Sequence, residues 1–356
     1  MNNTKHYKAL TFLIAVLTVC FLFSSCRNNG YEVETYEEDK PEGIVLFKNS
    51  LGTLSNGNDA AVGAKEFALE NGIRFISILP ESFEDEELEN TITDAIMDGY
   101  QTVICTGFEY YYAVSELSES FSDVEFILLD AFVTEDRSNV TSIVFDDFDA
   151  GFLAGYISAS AGHRNLGYLG ADGIDSTVNC SNGYISGICK AAENHPDDEF
   201  EVSVAYANTL VSNDYSLGLA ETMYENGCEN VLAVGGSTAV DCEAAAEASG
   251  ALYSCFYEEK ESESFEFAVV FDHGKAVKKV LEDSCSRVAE EGILTITADD
   301  GCIGIAYSPD RQTLSLSEEE INGIITSFIN SSLSNPNEYM KDGELCVPEN
   351  VTVHMY

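Results

Sequence analysis

Basic residues are scarce in this 356-residue chain: 17 Lys and Arg stand against 62 Asp and Glu, a formal net charge of -45. Binding a phosphate backbone requires a basic surface, so a nucleic-acid partner is excluded. Histidine is rarer still, with five residues, and His163, His195 and His273 stand far apart, so no metal-ligand cluster is expected. Eleven cysteines occur without one C-x-x-C pair, and those beyond Cys26 are odd in number and lie mostly in apolar or helical contexts that suit buried free thiols. The chain also lacks a G-x-x-x-x-G-K-[ST] cradle for a nucleoside triphosphate and a G-x-S-x-G nucleophile elbow. No cofactor is called for.

What is present is a folded body with an acidic skin. Hydrophobic residues make up 45 % of the chain, including 18 Tyr and 20 Phe, and this apolar content excludes disorder despite the charge. The length exceeds what one small core organises, which predicts two domains. The first 25 residues stand apart. Lys5 and Lys8 precede an apolar run from Ala9 to Phe23, too short to span a bilayer comfortably and matching a signal-peptide core. Leu22-Phe23-Ser24-Ser25-Cys26 resembles a bacterial lipobox, which makes Cys26 the lipidated first residue of an exported protein anchored on the extracytoplasmic face of the membrane. Residues 26–42 are polar and acidic, the composition of a tether.

From residue 43 short apolar runs alternate with helical patterns. Strands are predicted at 43–47, 73–79, 102–106, 125–129, 141–145, 165–169, 201–206, 230–234, 251–256, 265–271 and 293–297. Helices are predicted between them at 59–71, 86–98, 110–120, 148–162, 180–192, 213–227, 239–249, 274–290 and 318–332. Repeated strand–helix–strand units predict an α/β protein of two doubly wound, largely parallel sheets. Glycines such as Gly72, Gly99 and Gly250 close helical runs just before strands, where a left-handed cap is needed.

In such folds ligands meet the loops beyond the carboxyl ends of strands. That rule selects the loop 49–59, the Gly107-Phe108-Glu109 turn, Asp130, the turn 208–214, Gly235-Gly236-Ser237 and the stretch Tyr257-Glu258-Glu259. Asp130 either accepts hydrogen bonds from a sugar hydroxyl or an amine, or caps the following turn. Phe108 either stacks on a flat ring or packs in the core. Gly236 offers a backbone N–H to a polar ligand at a helix start.

Several segments carry a family resemblance in a fixed order. Phe121-Ser-Asp-Val-Glu-Phe-Ile-Leu-Leu-Asp130 and Phe152-Leu-Ala-Gly-Tyr-Ile157 are followed by Gly167-Tyr-Leu-Gly170, the span from Gly183 to Gly187, the run from Met223 to Gly236, Gly301 to Gly304, and a closing Lys341-Asp-Gly-Glu-Leu-Cys-Val-Pro348. Between Gly43 and Pro348 the chain resembles the basic membrane lipoprotein family of nucleoside-binding lipoproteins. The resemblance implies a type I periplasmic-binding fold: two α/β lobes, a ligand clamped between them, and an ABC permease and ATPase as partners. It divides the chain into an N-terminal lobe at 43–160, a C-terminal lobe at 161–262, a return to the first lobe at 263–310 and a crossing segment with strands at 311–356.

The same resemblance implies the ligand contacts. Asp130 and Phe108 carry over directly. The family's first loop bears an aromatic that is missing here, leaving Asn56, Asn58 and Asp59 as substitutes; the second loop, Leu210-Val-Ser-Asn-Asp214, also lacks its Phe and leaves Asn213. Tyr257 or Glu258 stands where the family has a ribose-contacting Asp, and a later Lys position falls near Phe271-Asp-His-Gly-Lys275. The function so implied is that of a nucleoside-binding receptor of an importer. A surface adhesin or sensor of the same fold is the alternative. A glycosidase-type enzyme is disfavoured, because acids such as Asp146, Asp147 and Asp149 at a helix start ordinarily serve as caps and dipole partners.

Overall fold

The computed structural model describes residues 43–49, 55–135, 137–256, 261–283, 292–308, 313–330, 333, 336–341 and 343–356. Cys26, the leader and the tether lie outside these residues, as do Tyr257 and Glu258.

The first sheet is built from β1 (Gly43–Phe47), β2 (Arg74–Ile78), β3 (Thr102–Thr106), β4 (Glu125–Leu129) and β5 (Val140–Phe145). Helices α1 (Ser55–Asn71), α2 (Asp85–Met97) and α3 (Tyr111–Ser120) connect them. The second sheet takes β6 (Asn165–Gly170), β7 (Phe200–Tyr206), β8 (Asn230–Val234), β9 (Leu252–Phe256) and β10 (Phe265–Phe271), linked by α5 (Asp175–Ala192), α6 (Asp214–Glu225) and α7 (Thr238–Ser249). In sequence α4 (Asp147–Ser160) joins the two sheets, and it packs on the second, against α5. After β10 come α8 (His273–Asp283), β11 (Ile293–Ile296), β12 (Ile303–Ala306), α9 (Glu318–Ile329), the short α10 (Pro336–Tyr339), a β13–β14 hairpin (Met340–Lys341 and Glu344–Leu345) and β15 (Val351–Met355).

Strand order is β11-β5-β4-β3-β1-β2 in the first sheet and β12-β10-β9-β8-β6-β7-β15 in the second. Within these two sheets all pairings are parallel except β10 with β12. A parallel sheet needs cover on both faces. The central strands β1 and β8 are accordingly buried along their whole length, with apolar clusters on either side of each sheet. Every strand expected from the sequence forms within one residue of its predicted ends. Helix α5 starts five residues earlier than predicted, because its polar first turn, Asp175-Ser-Thr, hides the apolar period. Strand β12 was not expected, and β13 to β15 fall in the closing segment, where strands were expected without individual bounds.

The chain passes between the sheets three times: from β5 into α4, from β10 into α8, and from β11 into β12. Helix α8 packs on α1 beside the first sheet, which β11 joins, while β10 and β12 belong to the second. Backbone hydrogen bonds tie these passes together: Asp146 N–H donates to the Ile296 carbonyl at 2.8 Å, and Asp272 N–H donates to the Cys302 carbonyl at 2.8 Å. The buried Asp149 carboxylate accepts from Ala298 N–H at 2.7 Å, linking the first pass to the third.

Helices α4 and α5 pack with their backbones in contact. A Cβ on Gly155 would lie 2.0 Å from the Tyr184 carbonyl oxygen, and one on Gly183 would lie 2.0 Å from that of Phe148. This approach is the physical reason for glycine in the Phe-Leu-Ala-Gly-Tyr motif. Seven of the eight described cysteines are buried free thiols, and Cys346 is exposed. Among the described residues no helix is long and apolar enough to cross a membrane. Replacing Gly155 by Val is expected to destabilise the protein by about 2 kcal/mol or more in denaturant melts, since backbone must move. Gly218→Ala, in α6 with open space at the Cβ position, is expected to gain up to about 1 kcal/mol from helix propensity.

Candidate functional site

The carboxyl ends of both sheets border one cleft of about 770 Å³, within the range of small-molecule sites. From the first sheet come Phe108, Tyr111 and Tyr112 beyond β3, Asp130 to Phe132 beyond β4, and Val144 and Phe145 at the end of β5. The second sheet contributes Val234 at the end of β8 and Gly235 just past it, Phe256 at the end of β9 and Phe271 at the end of β10, with Ser176, Thr177 and Cys180 from α5. Asp147 adds a carboxylate from the first pass between the sheets. Phe145 and Phe271 approach with ring centroids 4.7 Å apart, and Phe256 meets Phe271 edge-on at 5.7 Å. Phe108 at the lip is 79 % exposed, which excludes a core role and leaves its ring free to meet a ligand.

Asp130 stands in the left-handed region, at φ 62°, immediately past β4. Asp tolerates that conformation better than most residues, and such strain concentrates at binding sites. Its carboxylate faces Nε2 of His273 at 3.0 Å. The His273 side chain is only 1 % exposed. Its Nδ1 lies 2.9 Å from the Phe271 carbonyl, which only accepts, so that nitrogen carries a proton. A neutral ring would then aim a lone pair at the carboxylate; the doubly protonated ring donates from both sides. Burial alone would lower the His273 pKa, but the charge and hydrogen bond of Asp130, aided by the Phe271 carbonyl, outweigh it and raise the value. Phe145 packs edge-on to the same ring at 4.9 Å.

The other acids near the crossings are held differently. Asp146 caps α4 by accepting from Asp149 N–H at 3.1 Å, and Asp300 pairs with Lys279. Burial pushes Asp149 up to about 6 against the opposing bond from Ala298. Asp147 is likewise pushed up to about 6, by burial first and by the charge of Asp146 second. Among the described residues no group of three or more His, Cys, Asp or Glu is placed to hold a metal ion.

Of the residues singled out from the sequence, Phe108 and Asp130 meet in the cleft. Gly236 is a neighbour of the lining residue Gly235; its φ is 52°, and a Cβ there would come within 2.8 Å of the Leu210 carbonyl oxygen. Asn213 caps α6, accepting from Tyr215 N–H at 2.9 Å and Ser216 N–H at 3.1 Å. Asn58 and Asp59 lie on α1, and Asp59 borders a separate groove of about 330 Å³ with Asp272 and Lys275. Burial raises the Asp59 pKa, partly offset by His273. Asn56 belongs to the first turn of α1, and its side chain lies outside the described residues. Sequence reasoning singled out the segment from Phe271 to Lys275 only for its lysine, and it overlooked the parts played by His273, Phe271, Phe256 and Phe145. The strand-end rule that selected Asp130 would have found them, since each sits at or within two residues of the end of β5, β9 or β10.

The family model for ABC transporter substrate-binding proteins of the PnrA-like kind matches residues 40–334. The chain belongs to this family. It is 24 % identical to a CD4+ T-cell-stimulating antigen of Listeria innocua, over 96 % of this chain and 97 % of the relative. It is 25 % identical to the ABC transporter nucleoside-binding protein BmpA of Lactococcus lactis, over 60 % of this chain and 59 % of the relative. Two solved structures share the fold. An ABC transporter solute-binding protein of Aeropyrum pernix superposes with a TM-score of 0.54 at 19 % identity, covering 83 % of this chain and 87 % of that one. A transcriptional activator of the comK gene from Bacillus halodurans gives 0.63 at 16 % identity, covering 85 % and 99 %. The PnrA-like family is one of solute-binding proteins, and this member is a binding protein, not an enzyme.

The Asp130–His273 pair has a pH signature. Because the folded His273 pKa is raised, its stabilisation is complete below the ordinary imidazole value of about 6.5 and is lost as pH rises through the folded value. Thermal melts from pH about 6 to about 9 should therefore show a loss in the wild type that His273→Gln flattens.

Proposed function

We propose that this protein is the lipid-anchored receptor of an ATP-driven importer and binds a nucleoside, or a related small polar solute, between its lobes. The observation that carries the reading is the composition of the cleft: aromatic rings from both sheets around Asp130, an acceptor suited to sugar hydroxyls. Phe132, Phe256 and Phe271 offer ring faces in place of the missing loop aromatics, each stacked pair worth about 0.5–1.5 kcal/mol. The orders β2-β1-β3-β4-β5 and β7-β6-β8-β9-β10 repeat one pattern in the two sheets, which supports the type I arrangement. The resemblance to a nucleoside-binding protein of Lactococcus lactis supports the ligand class.

One observation favours a second reading, a surface adhesin or sensor. Asn213, offered by the second loop as a ligand contact, spends its side-chain oxygen on capping α6.

Calorimetric titration of residues 27–356 with purine and pyrimidine nucleosides, after unfolding and refolding to strip carried ligand, tests the proposal. Binding at about micromolar Kd or tighter is expected, weakened about tenfold or more by Asp130→Asn. Silence across the panel from folded protein would end the nucleoside reading and leave the adhesin or sensor.

A further inference from the structure

The charge inside the cleft is unbalanced. Two carboxylates, Asp130 and Asp147, line it, and among the described residues no Lys or Arg does. His273, the one cationic group beside it among the described residues, is committed to Asp130. That pair is neutral as a whole, and Asp147 is left over. Among the described residues the Asp147 side chain makes no hydrogen bond or ion pair, although it is half-buried at the entrance of α4. Its charged neighbour is Asp146, a like charge. Across from it on β6 and α5 stand Tyr168 and Cys180, both uncharged at neutral pH because burial raises their pKa values.

Closing two lobes over a bare carboxylate is costly unless the enclosed solute supplies a partner. A neutral donor would satisfy the oxygens and leave the site with a net negative charge; a cation cancels it. Aromatic faces are also suited to cations, since the ring quadrupole attracts positive charge. Phe145, Phe256 and Phe271 crowd the floor of this cleft, and Tyr111 and Tyr112 stand above it. A protein with a net charge of -45 further concentrates cations at its surface and repels anions.

We infer that the solute presents a positively charged nitrogen to Asp147, which sets the preference of the cleft for a cationic or amine-bearing ligand and against phosphorylated ones. This inference rests on the receptor reading above and narrows its ligand class.

Two matched pairs of probes separate charge from scaffold: adenosine with 1-methyladenosine, and tryptophol with tryptamine. Each is titrated calorimetrically into the refolded wild type and into Asp147→Asn, an isosteric change that removes the charge. The cationic member of at least one pair is expected to bind about tenfold more tightly than its neutral partner, a preference that Asp147→Asn abolishes. A second readout is pH. Wild-type affinity for the cation should fall from about pH 7.5 to about pH 5 as Asp147 takes up a proton, and the variant should not follow. Asp149 titrates in the same range but is present in both proteins, and His273 stays charged on the acidic side.

Tight binding of adenosine with no gain from the methyl cation, and no selective effect of Asp147→Asn, overturns the inference while the nucleoside reading survives. Binding of tryptamine alone, lost in the variant, upholds it and ends the nucleoside reading. Failure of all four probes to bind overturns both.

Discussion

Three passes of one chain between two sheets are the constraint on which this molecule depends. Neither sheet is a continuous stretch of sequence: β11 completes the first after the second is largely built, and β12 and β15 then complete the second. The passes are not loose linkers. Asp146 N–H bonded to Ile296, Asp272 N–H bonded to Cys302 and the Asp149 carboxylate bonded to Ala298 make them a small hydrogen-bonded bundle of their own. Phe145 and Phe271, each at the last position of the strand feeding a pass, touch above that bundle and form part of the cleft floor. The ligand site and the connection between lobes are therefore built from the same few residues.

Electrostatics divides the interior acids by partner. Asp300 has a lysine, Asp130 has a protonated histidine, Asp149 has only a backbone N–H and Asp147 has none among the described residues. The pKa of Asp300 is lowered, with the bonds from Lys279 and Thr297 overcoming burial, whereas those of Asp147 and Asp149 rise to about 6 because burial dominates. The signs oppose one another across the pH scale. The raised acids favour folding below the ordinary carboxylate range and lose that advantage as pH rises through about 6. The histidine pair loses its contribution only above that window.

Much of the fold was legible because its strands are fully buried. Continuous apolar runs such as Ile-Val-Leu-Phe at β1 and Val-Leu-Ala-Val at β8, each followed by a helical pattern that glycine closes, leave little choice of architecture. Edge elements were less legible: β15, with Val351 buried and alternate positions exposed, was expected only as an unplaced strand of the closing segment, and its partner β7 has no local signal. At the site, Asp130 and Phe108 were found because the strand-end rule and the family motif coincide there. His273 escaped because it sits in a helical start, and its meaning comes from a carboxylate 143 positions away. Pairings at that separation have no local signal. The family's missing loop aromatics pointed to a cleft poor in rings, whereas the rings lie at strand ends, where sequence alone makes them look like core.

The glycine contact between α4 and α5 has a mechanical corollary. Two helices whose backbones touch at Gly151, Gly155, Gly183 and Gly187 behave as one rigid bar, and that bar includes the first turn of α4. Rotation of one lobe against the other must then be taken up ahead of that turn, in the few bonds between Phe145 and Asp147. Asp147 rides with the second lobe and Asp130 with the first, so the two carboxylates lie on opposite jaws. The gap between them gauges how far the jaws have swung, and a label reporting that distance would read the position of the whole machine.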